Sequence, residues 1–343
     1  MSHKPNGRVT TMKAIAYDRY GSPDVLELRD VPTPTCNDDH VLVRIRAAAA
    51  NPFDWHLLRG DPYLVHLAMG LRKPRRAMIL GSDVAGVVEA VGVDVTRFRP
   101  GDEVYAVTEV GGFAEYVSIR EPRVALKPAT LTFEQAAAVP VAALTALQSL
   151  GNGERVKKGQ KVLINGASGG IGTFAVQIAK SFGAEVTGVC STAKVDMVRS
   201  IGADHVIDYT RQDFAQSGRR YDLLLDTVGN RSLSDFRRAL TRTGTFVIVG
   251  GGGGRWLGPM SQRVKAALAS PFVSQRIVLV SCNPIGKDLE ILHGLIETGK
   301  VTPVIDRTYP LGEVPDAIRH LEEGHNRGKI VITIGDSTKV DIR

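Results

Sequence analysis

Short runs in which apolar and polar residues alternate fill roughly the first hundred positions of the chain. They are MKAIAYDRYG, VLELRDVP, HVLVRIRAAAAN, SDVAGVVEAVG and GDEVYAV, and they are separated by turn-forming residues. Alternation with a period of two, broken by Gly, Pro, Asn and Asp, is typical of β-strands. This part of the sequence therefore predicts a compact, mostly β domain. Residues 60–74 carry Pro and Gly and lead into the basic run LRKPRR, which predicts a surface loop that can flank a pocket.

The pattern changes near residue 131. TFEQAAAVPVAALTALQSL is rich in Ala and Leu and starts with Thr132 before Phe-Glu-Gln, which predicts the beginning of a helix. Strand-like and helix-like runs then alternate from KVLINGA to GTFVIVGG. This βαβα order predicts a parallel sheet covered by helices. After the glycine-rich residues 250–254 the same alternation resumes and closes with KIVITI.

The segment KVLINGASGGIGTFAVQIAK, residues 161–180, holds the most informative motif. An apolar strand enters a turn with the spacing Ala167-x-Gly169-x-x-Gly172, and an amphipathic helix follows directly. Small residues allow the tight turn and a close approach of the backbone to a pyrophosphate, while the helix N-terminus offers free N–H groups to the anion. A glycine turn can also serve packing alone, but the βαβ context favours a dinucleotide site.

The residues after the second strand of this unit indicate which dinucleotide binds. Enzymes that prefer NADH place an acid there, whereas EVTGVC is followed by Ser191, Thr192, Ala193 and Lys194. Hydroxyl and ammonium groups can bind a 2′-phosphate, which an acid would repel, so the sequence favours NADPH. The alternative is a solvated helix cap at Ser191 or Thr192 with Lys194 in water.

Composition and charge narrow the class of protein. With 343 residues, 43% of them hydrophobic, the chain can bury a sizeable core and is expected to form two domains. The net charge of +7 suits anionic cofactors, and because no long basic run is present we expect no nucleic-acid partner. Cys36, Cys190 and Cys282 are isolated, which favours a reducing cytoplasm. The absence of a long apolar run or an apolar leader predicts neither membrane insertion nor export.

Taken in order, these segments closely resemble the medium-chain dehydrogenase/reductase superfamily, in its zinc-independent, quinone oxidoreductase-like branch. The resemblance spans nearly the whole chain and includes AAAANPFDWHLLRG, LGSDVAGVVEAVG, FRPGDEVYA, GGFAEYV, GASGGIG, ADHVIDY, LLLDTVGN and GKIVI. It implies an α/β fold in which a doubly wound Rossmann sheet is inserted into a GroES-like, mostly β catalytic domain. The implied boundaries are residues 1–130 for the first part of the catalytic domain, 131–285 for the NADP-binding domain, and 286–343 for the return to the catalytic domain.

The resemblance also bears on metal binding. Zinc-dependent members carry Cys at the position of Asn51 and a His-Glu pair at Ser82 and Asp83. Neither thiol nor imidazole ligands are present at these positions, so we expect no metal site.

Site residues follow from the same resemblance. Expected catalytic residues are Asn51, His56 and, as a proton donor in the loop bordering the cleft, Tyr63. Expected cofactor contacts are Asn51, Thr145, Ala167, Ser168, Gly169, Gly170, Ile171, Gly172, Ser191, Lys194, Tyr209, Asn230, Gly250, Gly251, Ser281, Cys282 and Lys329.

Structural alternatives accompany three of these assignments. Asn51 precedes Pro52, and its alternative role is that of a turn former. The alternative for Tyr209 is a surface residue that ends a strand, and the alternative for His56 is a packing residue. Asp54 is interpreted as a helix cap or loop hydrogen-bonding group rather than a general base.

The function that we predict is NADPH-dependent, metal-free hydride transfer to a quinone or an α,β-unsaturated carbonyl compound. Without a metal, a conjugated acceptor is favoured because it spreads the incoming charge. Three alternatives stay open: a zinc-free NADP-dependent alcohol dehydrogenase, a non-catalytic nucleotide-binding protein and, without any supporting motif, a nucleic-acid-binding protein. We also expect a homodimer, formed through the edge of the sheet at RIVLVSC, residues 276–282.

Overall fold

The computed structural model describes residues 10–61, 70, 73–74, 78–249, 274–284 and 286–335. Within these residues, the strands form a sheet of three, a sheet of six and a sheet of seven, and in the last of these one strand pairs outside the main path of six. The architecture confirms the predicted α/β class, with a doubly wound sheet inserted into a mostly β domain. No helix in this part of the chain has both the length and the hydropathy that crossing a bilayer requires.

The N-terminal part is mostly β, as its alternating pattern predicts. Its elements are β1 (Thr11–Tyr17), β2 (Glu27–Pro32), β3 (His40–Ala50), α1 (Pro52–Arg59), β4 (Met78–Ile79), β5 (Asp83–Val91), β6 (Glu103–Val107), β7 (Tyr116–Arg120) and β8 (Val124–Leu126). β3 and β5 are antiparallel neighbours. Every second residue in the first half of β3 is buried, which is the physical origin of the alternation.

The central part forms the parallel sheet. Its elements are α2 (Phe133–Ala137), α3 (Pro140–Ser149), β9 (Lys161–Asn165), α4 (Gly170–Ser181), β10 (Glu185–Cys190), α5 (Val195–Ser200), β11 (His205–Asp208), β12 (Tyr221–Asp226), α6 (Leu233–Ala239), β13 (Leu240–Ile248) and β14 (Arg276–Leu279). The strand order is β11-β10-β9-β12-β13-β14, and all of the pairs are parallel. This is the classic Rossmann order, in which ligands bind at the carboxyl ends of the strands near the switch point between β9 and β12.

The C-terminal part returns to the first domain. Its elements are α7 (Gly286–Glu297), β15 (Ile305–Pro310), α8 (Val314–Glu322) and β16 (Lys329–Thr333). β16 pairs antiparallel with the end of β3 and parallel with β15. The first residue of β16 therefore lies close to the point where the chain leaves β3 for α1. The domain boundaries near residues 130 and 285 stay predictions.

Two elements differ from the sequence expectation. The helix begins after Thr132 as predicted, since the Thr132 hydroxyl accepts from the Gln135 N–H, but it stops before Pro140 and a second helix starts there. Proline cannot donate the backbone hydrogen bond that a continuous helix needs, whereas it suits a first turn. The strand predicted over residues 276–282 ends at Leu279, although Val280 still donates to the Ile248 carbonyl.

Candidate cofactor cleft

The glycine turn, residues 166–172, joins β9 to α4. A Cβ on Gly172 would lie 2.0 Å from the Gly166 carbonyl oxygen, so packing of the helix on the strand demands glycine there. A Cβ on Gly169 would meet only the Gly166 carbonyl oxygen, at 3.5 Å. Packing among the described residues therefore does not explain Gly169, and the space beside its backbone can admit a ligand. No side chain caps this end of α4, so its first N–H groups can bind a pyrophosphate.

The remaining residues of the turn are anchored on two sides. Ala167 is fully buried and its N–H donates to the Val189 carbonyl of β10. The Ser168 carbonyl accepts from the N–H of Gly328, at 2.9 Å. Gly170 begins α4, and its neighbour Ile171 is partly buried against the core. The turn thus rests on the sheet and also contacts the segment that precedes β16.

Lys329, the first residue of β16, reaches from this turn into a buried polar cluster. A Cβ on Gly170 would lie 3.0 Å from the Lys329 Cδ, which places the lysine stem against the start of α4. The Lys329 ammonium donates to Asn51 Oδ1 at 2.6 Å and to Asp83 Oδ2 at 2.9 Å. All three side chains are at most 5% exposed. We call Asn51, Asp83 and Lys329 the buried triad.

Asp83 links the triad to the parallel-sheet part of the molecule. Its Oδ2 accepts from Asn51 Nδ2 at 3.0 Å as well as from Lys329, and its Oδ1 accepts from the Val141 N–H at 2.7 Å. Val141 lies in the first turn of α3, where backbone N–H groups lack intrahelical partners. The carboxylate therefore accepts hydrogen bonds from a backbone N–H at a helix start, from an amide and from an ammonium.

Asp54 supports the triad from α1. Its two carboxylate oxygens accept from the backbone N–H groups of Asn51, at 2.7 Å, and Gly81, at 2.9 Å. The interpretation of Asp54 as a cap is confirmed by this geometry. Burial raises its pKa to about 6, and the two backbone hydrogen bonds counteract only part of that rise.

Both ends of the Asn51 side-chain amide form hydrogen bonds with neighbouring groups of the protein. Oδ1 receives the Lys329 ammonium, and Nδ2 faces Asp83 and, at 3.4 Å, the Ala49 carbonyl. The catalytic role expected of Asn51 would require this amide to donate to the substrate oxygen. In the structure Asn51 instead connects a cation to a carboxylate, and its contact with substrate or cofactor stays a prediction.

His56 lies two residues beyond Asp54 on α1. Its ring stacks on Trp55 with centroids 3.7 Å apart, and Nδ1 lies 3.1 Å from the Asp61 carbonyl oxygen. A carbonyl only accepts, so Nδ1 carries the proton in neutral His56 and Nε2 is an acceptor. Burial lowers the pKa of His56, which favours the neutral ring. Tyr63 lies outside the described residues.

Thr145 and Cys282 meet beside the triad. The Thr145 hydroxyl, on α3, donates to the Val141 carbonyl at 2.6 Å, and it lies close enough to the Cys282 thiol to lower the pKa of that thiol. Burial raises the pKa of Cys282 to about 11, so the thiol stays protonated near neutral pH. Ser281 precedes it and is exposed. Thr145 and Cys282 therefore lie close together, and their contacts with the cofactor stay predictions.

The opposite end of the cleft collects residues from the ends of β10 and β11. Ser191 follows β10, and the Tyr209 N–H donates to the Cys190 carbonyl, so both flank the strand ends. The Tyr209 side chain is 54% exposed. Lys194 donates from Nζ to the Asn326 carbonyl at 3.0 Å, which connects the parallel sheet to the C-terminal part.

Sequence reasoning missed a carboxylate at this end. Asp208 lies directly beside Cys190 in the parallel ladder, and its Oδ2 accepts from the Thr192 hydroxyl at 2.6 Å. Hydrogen bonds from Thr192 and Thr210 hold its pKa below the usual range. The acid comes from the third strand, so an inspection of the residues after the second strand could not find it.

A further amide site lies at the switch point. Asn165, at the end of β9, donates from Nδ2 to Asp226 Oδ1 at 2.8 Å and to Asn230 Oδ1 at 3.1 Å. This places the predicted contact Asn230 beside the glycine turn. Gly250 and Gly251 lie outside the described residues.

Two family profiles match the chain. The family described as "Alcohol dehydrogenase GroES-like domain" matches residues 37–129, and "Zinc-binding dehydrogenase" matches residues 201–332. Asn51, Ser82 and Asp83 lie in the first of these matches and not in the second. Within the described residues, no group of three or more His, Cys, Asp or Glu side chains is arranged to hold a metal ion.

Three known proteins show how far the similarity extends. A mitochondrial NAD(P)H oxidoreductase of Mus musculus is 34% identical over 380 residues, covering 96% of this chain and 91% of the relative. An NADPH-dependent alkenal/one oxidoreductase from the chloroplast of Arabidopsis thaliana is 34% identical, covering 94% and 79%. The solved quinone oxidoreductase of Coxiella burnetii superposes with a TM-score of 0.84 at 30% identity, covering 95% of this chain and all of its own.

Proposed function

The chain belongs to the medium-chain dehydrogenase/reductase superfamily, in its quinone oxidoreductase-like branch, and we propose that it uses NADPH to reduce quinones or small α,β-unsaturated carbonyl compounds. It is an NAD(P)H oxidoreductase, as its relatives are. The observation that carries the finer proposal is the buried triad. An ammonium lies between two side chains at positions where zinc-dependent members carry metal ligands.

The triad argues for metal-independent chemistry on the basis of its donors and acceptors. The Asp83 carboxylate already accepts from Asn51, Lys329 and the Val141 N–H. Ser82 and Asn51 are weak ligands for zinc, which prefers thiolate and imidazole. A cation with no ligand requirement, the Lys329 ammonium, supplies positive charge at this position instead.

The glycine turn and the strand ends fit a phosphorylated dinucleotide. Gly169 leaves the backbone open, α4 presents its free N–H groups, and Lys194 offers a cation at the far end. Asp208 adds a negative charge nearby, but its carboxylate accepts hydrogen bonds from the hydroxyl groups of Thr192 and Thr210. We therefore keep NADPH as the preferred cofactor.

The residues of the chain prepare the reaction by positioning and by charge. When bound, the reduced nicotinamide supplies a hydride to the acceptor carbon. Lys329 holds Asn51 and Asp83 in fixed orientations, and its positive charge favours negative charge that develops nearby. Neutral His56 offers Nε2 as an acceptor, and the protonated Cys282 thiol is a poor nucleophile. Water can deliver the final proton.

This arrangement favours an acceptor that is already electrophilic. Conjugation spreads the incoming charge onto a delocalised oxygen, which a few donors can stabilise. A simple ketone would concentrate the charge as an alkoxide and needs stronger electrostatic help.

A matched substrate set tests the proposal. We expect NADPH oxidation with 1,4-naphthoquinone and with but-3-en-2-one, and much slower oxidation with butan-2-one, which has the same carbon skeleton as the enone. Activity should persist with a chelator present, and NADH should serve less well than NADPH. If butan-2-one and butan-2-ol with NADP+ react while the conjugated compounds do not, the protein is a metal-free alcohol dehydrogenase instead.

A further inference from the structure

A polar cavity of about 660 Å³ lies in the parallel-sheet part of the molecule. One wall comes from Arg276, the first residue of β14, and from Thr245, its register partner on β13. The glycine turn instead follows the carboxyl end of β9. None of the described residues that line the cavity is among the expected cofactor contacts. Cavities of this size hold small organic molecules, so this one is a candidate for a second ligand site.

The base of the cavity is a hydrogen-bond network around Asp288. This side chain is 5% exposed, and its two carboxylate oxygens accept from Gln148 Nε2 and from Asn152 Nδ2, both at 2.8 Å. Gln148 Nε2 also donates to the Asn283 carbonyl at 2.6 Å, and Gln148 Oε1 accepts from the Asn283 N–H at 3.0 Å. Asn152 has a φ of +53°, in the left-handed region that asparagine tolerates better than most residues. The Asp288 carboxylate is therefore bound by amides of the protein, and these side chains hold one another in place.

Arg155 lines the cavity from the end of α3. Its Nη1 donates to the carbonyl oxygens of Gln148, at 2.7 Å, and Ser149, at 3.1 Å. Carbonyl groups in the last turn of a helix lack intrahelical partners, which is why a cation is favourable there. A guanidinium has further N–H donors on Nε and Nη2, and among the described residues these form no hydrogen bond. The helix end thus fixes the position of a guanidinium that can still bind a ligand.

Arg155 and Arg276 bring two positive charges to the same cavity. Burial and then repulsion by Arg276 lower the pKa of Arg155, and the charge of Glu154 counteracts only part of this. Among the arginines that the structure describes, these two form no ion pair within 4 Å with a carboxylate, unlike Arg231 or Arg238. An anion that contacts both guanidinium groups would relieve their repulsion.

We propose that this cavity binds a small organic molecule through a phosphate group, which Arg155 and Arg276 contact. A guanidinium donates to two phosphate oxygens at once, and two guanidinium groups match the charge of a dianion. The Thr245 hydroxyl and the Asn283 side-chain amide line the same cavity and offer hydrogen bonds to the polar remainder of the ligand. This inference goes beyond the proposed function, because hydride transfer to the acceptor needs no group in this cavity.

Calorimetry on the full-length protein, with glycerol 3-phosphate as the probe, tests this site without requiring turnover. Glycerol and inorganic phosphate are the matched compounds, since each lacks one half of the probe, and we expect the probe to bind more tightly than either. Arg276→Ala should weaken the probe about tenfold or more, which is the usual effect of losing a charge-assisted hydrogen bond. Arg276→Lys should restore part of the loss because the charge remains. Asn283→Asp should also weaken the probe, because it adds a negative charge to the cavity.

The controls separate this cavity from other sites that could bind a phosphate. Arg242→Ala removes an exposed arginine of β13 outside the cavity lining and should leave binding of the probe unchanged. Lys194→Ala should leave it unchanged as well. If Lys194→Ala loses the probe while Arg276→Ala keeps it, the phosphate binds in the cofactor cleft and the proposal is overturned. It is also overturned if wild-type protein binds neither phosphate compound, or if inorganic phosphate binds as tightly as glycerol 3-phosphate.

Discussion

The Lys329 ammonium lies 2.9 Å from the Asp83 carboxylate, with side chains 3% and 0% exposed. The two residues come from β16 and β5, and they meet where the C-terminal part of the chain contacts the glycine turn. This buried pair joins the catalytic part of the molecule to the cofactor part, because Asp83 also receives the N–H at the start of α3. Breaking this pair should therefore lower the stability of the protein as well as its activity.

Lys329→Met should destabilise the protein by about 3–5 kcal/mol, since it leaves the Asp83 charge buried without its cation. The double variant with Asp83→Asn should recover part of that loss because the unpaired charge disappears. Urea unfolding monitored by circular dichroism measures both changes. Lys13→Met breaks the exposed pair with Asp30 and should cost less than about 1 kcal/mol. A similar cost for the two lysine variants would contradict the prediction.

This pair also marks the limit of what the sequence could predict. The glycine turn, the strand alternation and the Thr132 cap follow from local spacing, and each was found. Lys329 and Asp83 are 246 positions apart, so no local pattern could bring them together. The position of Asp208 was not predicted for the same reason, since only the pairing of β10 with β11 brings it within hydrogen-bond distance of Thr192. The hydrogen bonds of the Asn51 amide with Lys329 and Asp83 likewise depend on the tertiary fold.

Asp54 should make stability depend on pH. Burial raises its pKa from 3.8 to about 6, so between these values the folded chain retains a proton that the unfolded chain has released. Its contribution to stability is therefore fully present below pH 4 and is lost as the pH rises through 6. Between pH 4 and 6, the urea midpoint of Asp54→Asn should fall less than that of wild type. A loss of stability that is the same at every pH would not affect this comparison. An unchanged slope between pH 4 and 6 would show that Asp54 titrates normally.

The homodimer stays a prediction that the position of β14 makes testable. β14 is the last strand of the described parallel sheet, and Leu279 on it is 42% exposed. An apolar sheet edge of this kind can pair with a second copy of the chain. Light scattering should give about twice the mass of one chain, and Leu279→Lys should shift it toward the monomer. Val93→Lys, at another exposed apolar residue, should not. A monomer mass for wild type at micromolar concentration would reject the dimer.

Asn51 offers a way to distinguish a residue that acts in the transition state from one that only binds the cofactor. Its amide connects the Lys329 ammonium to Asp83, so Asn51→Ala removes the partner that orients that charge. If the oriented charge stabilises the reacting oxygen, kcat with but-3-en-2-one should fall on the order of tenfold to a hundredfold, while the NADPH dissociation constant stays within about threefold. Asn230→Ala is the matched comparison, because Asn230 lies at the switch point beside Asn165 and is expected to contact only the cofactor. It should weaken NADPH more than it lowers kcat. The reverse pattern at Asn51, with affinity lost and turnover kept, would make Asn51 a binding residue, and the chemistry would then depend on donors other than this amide.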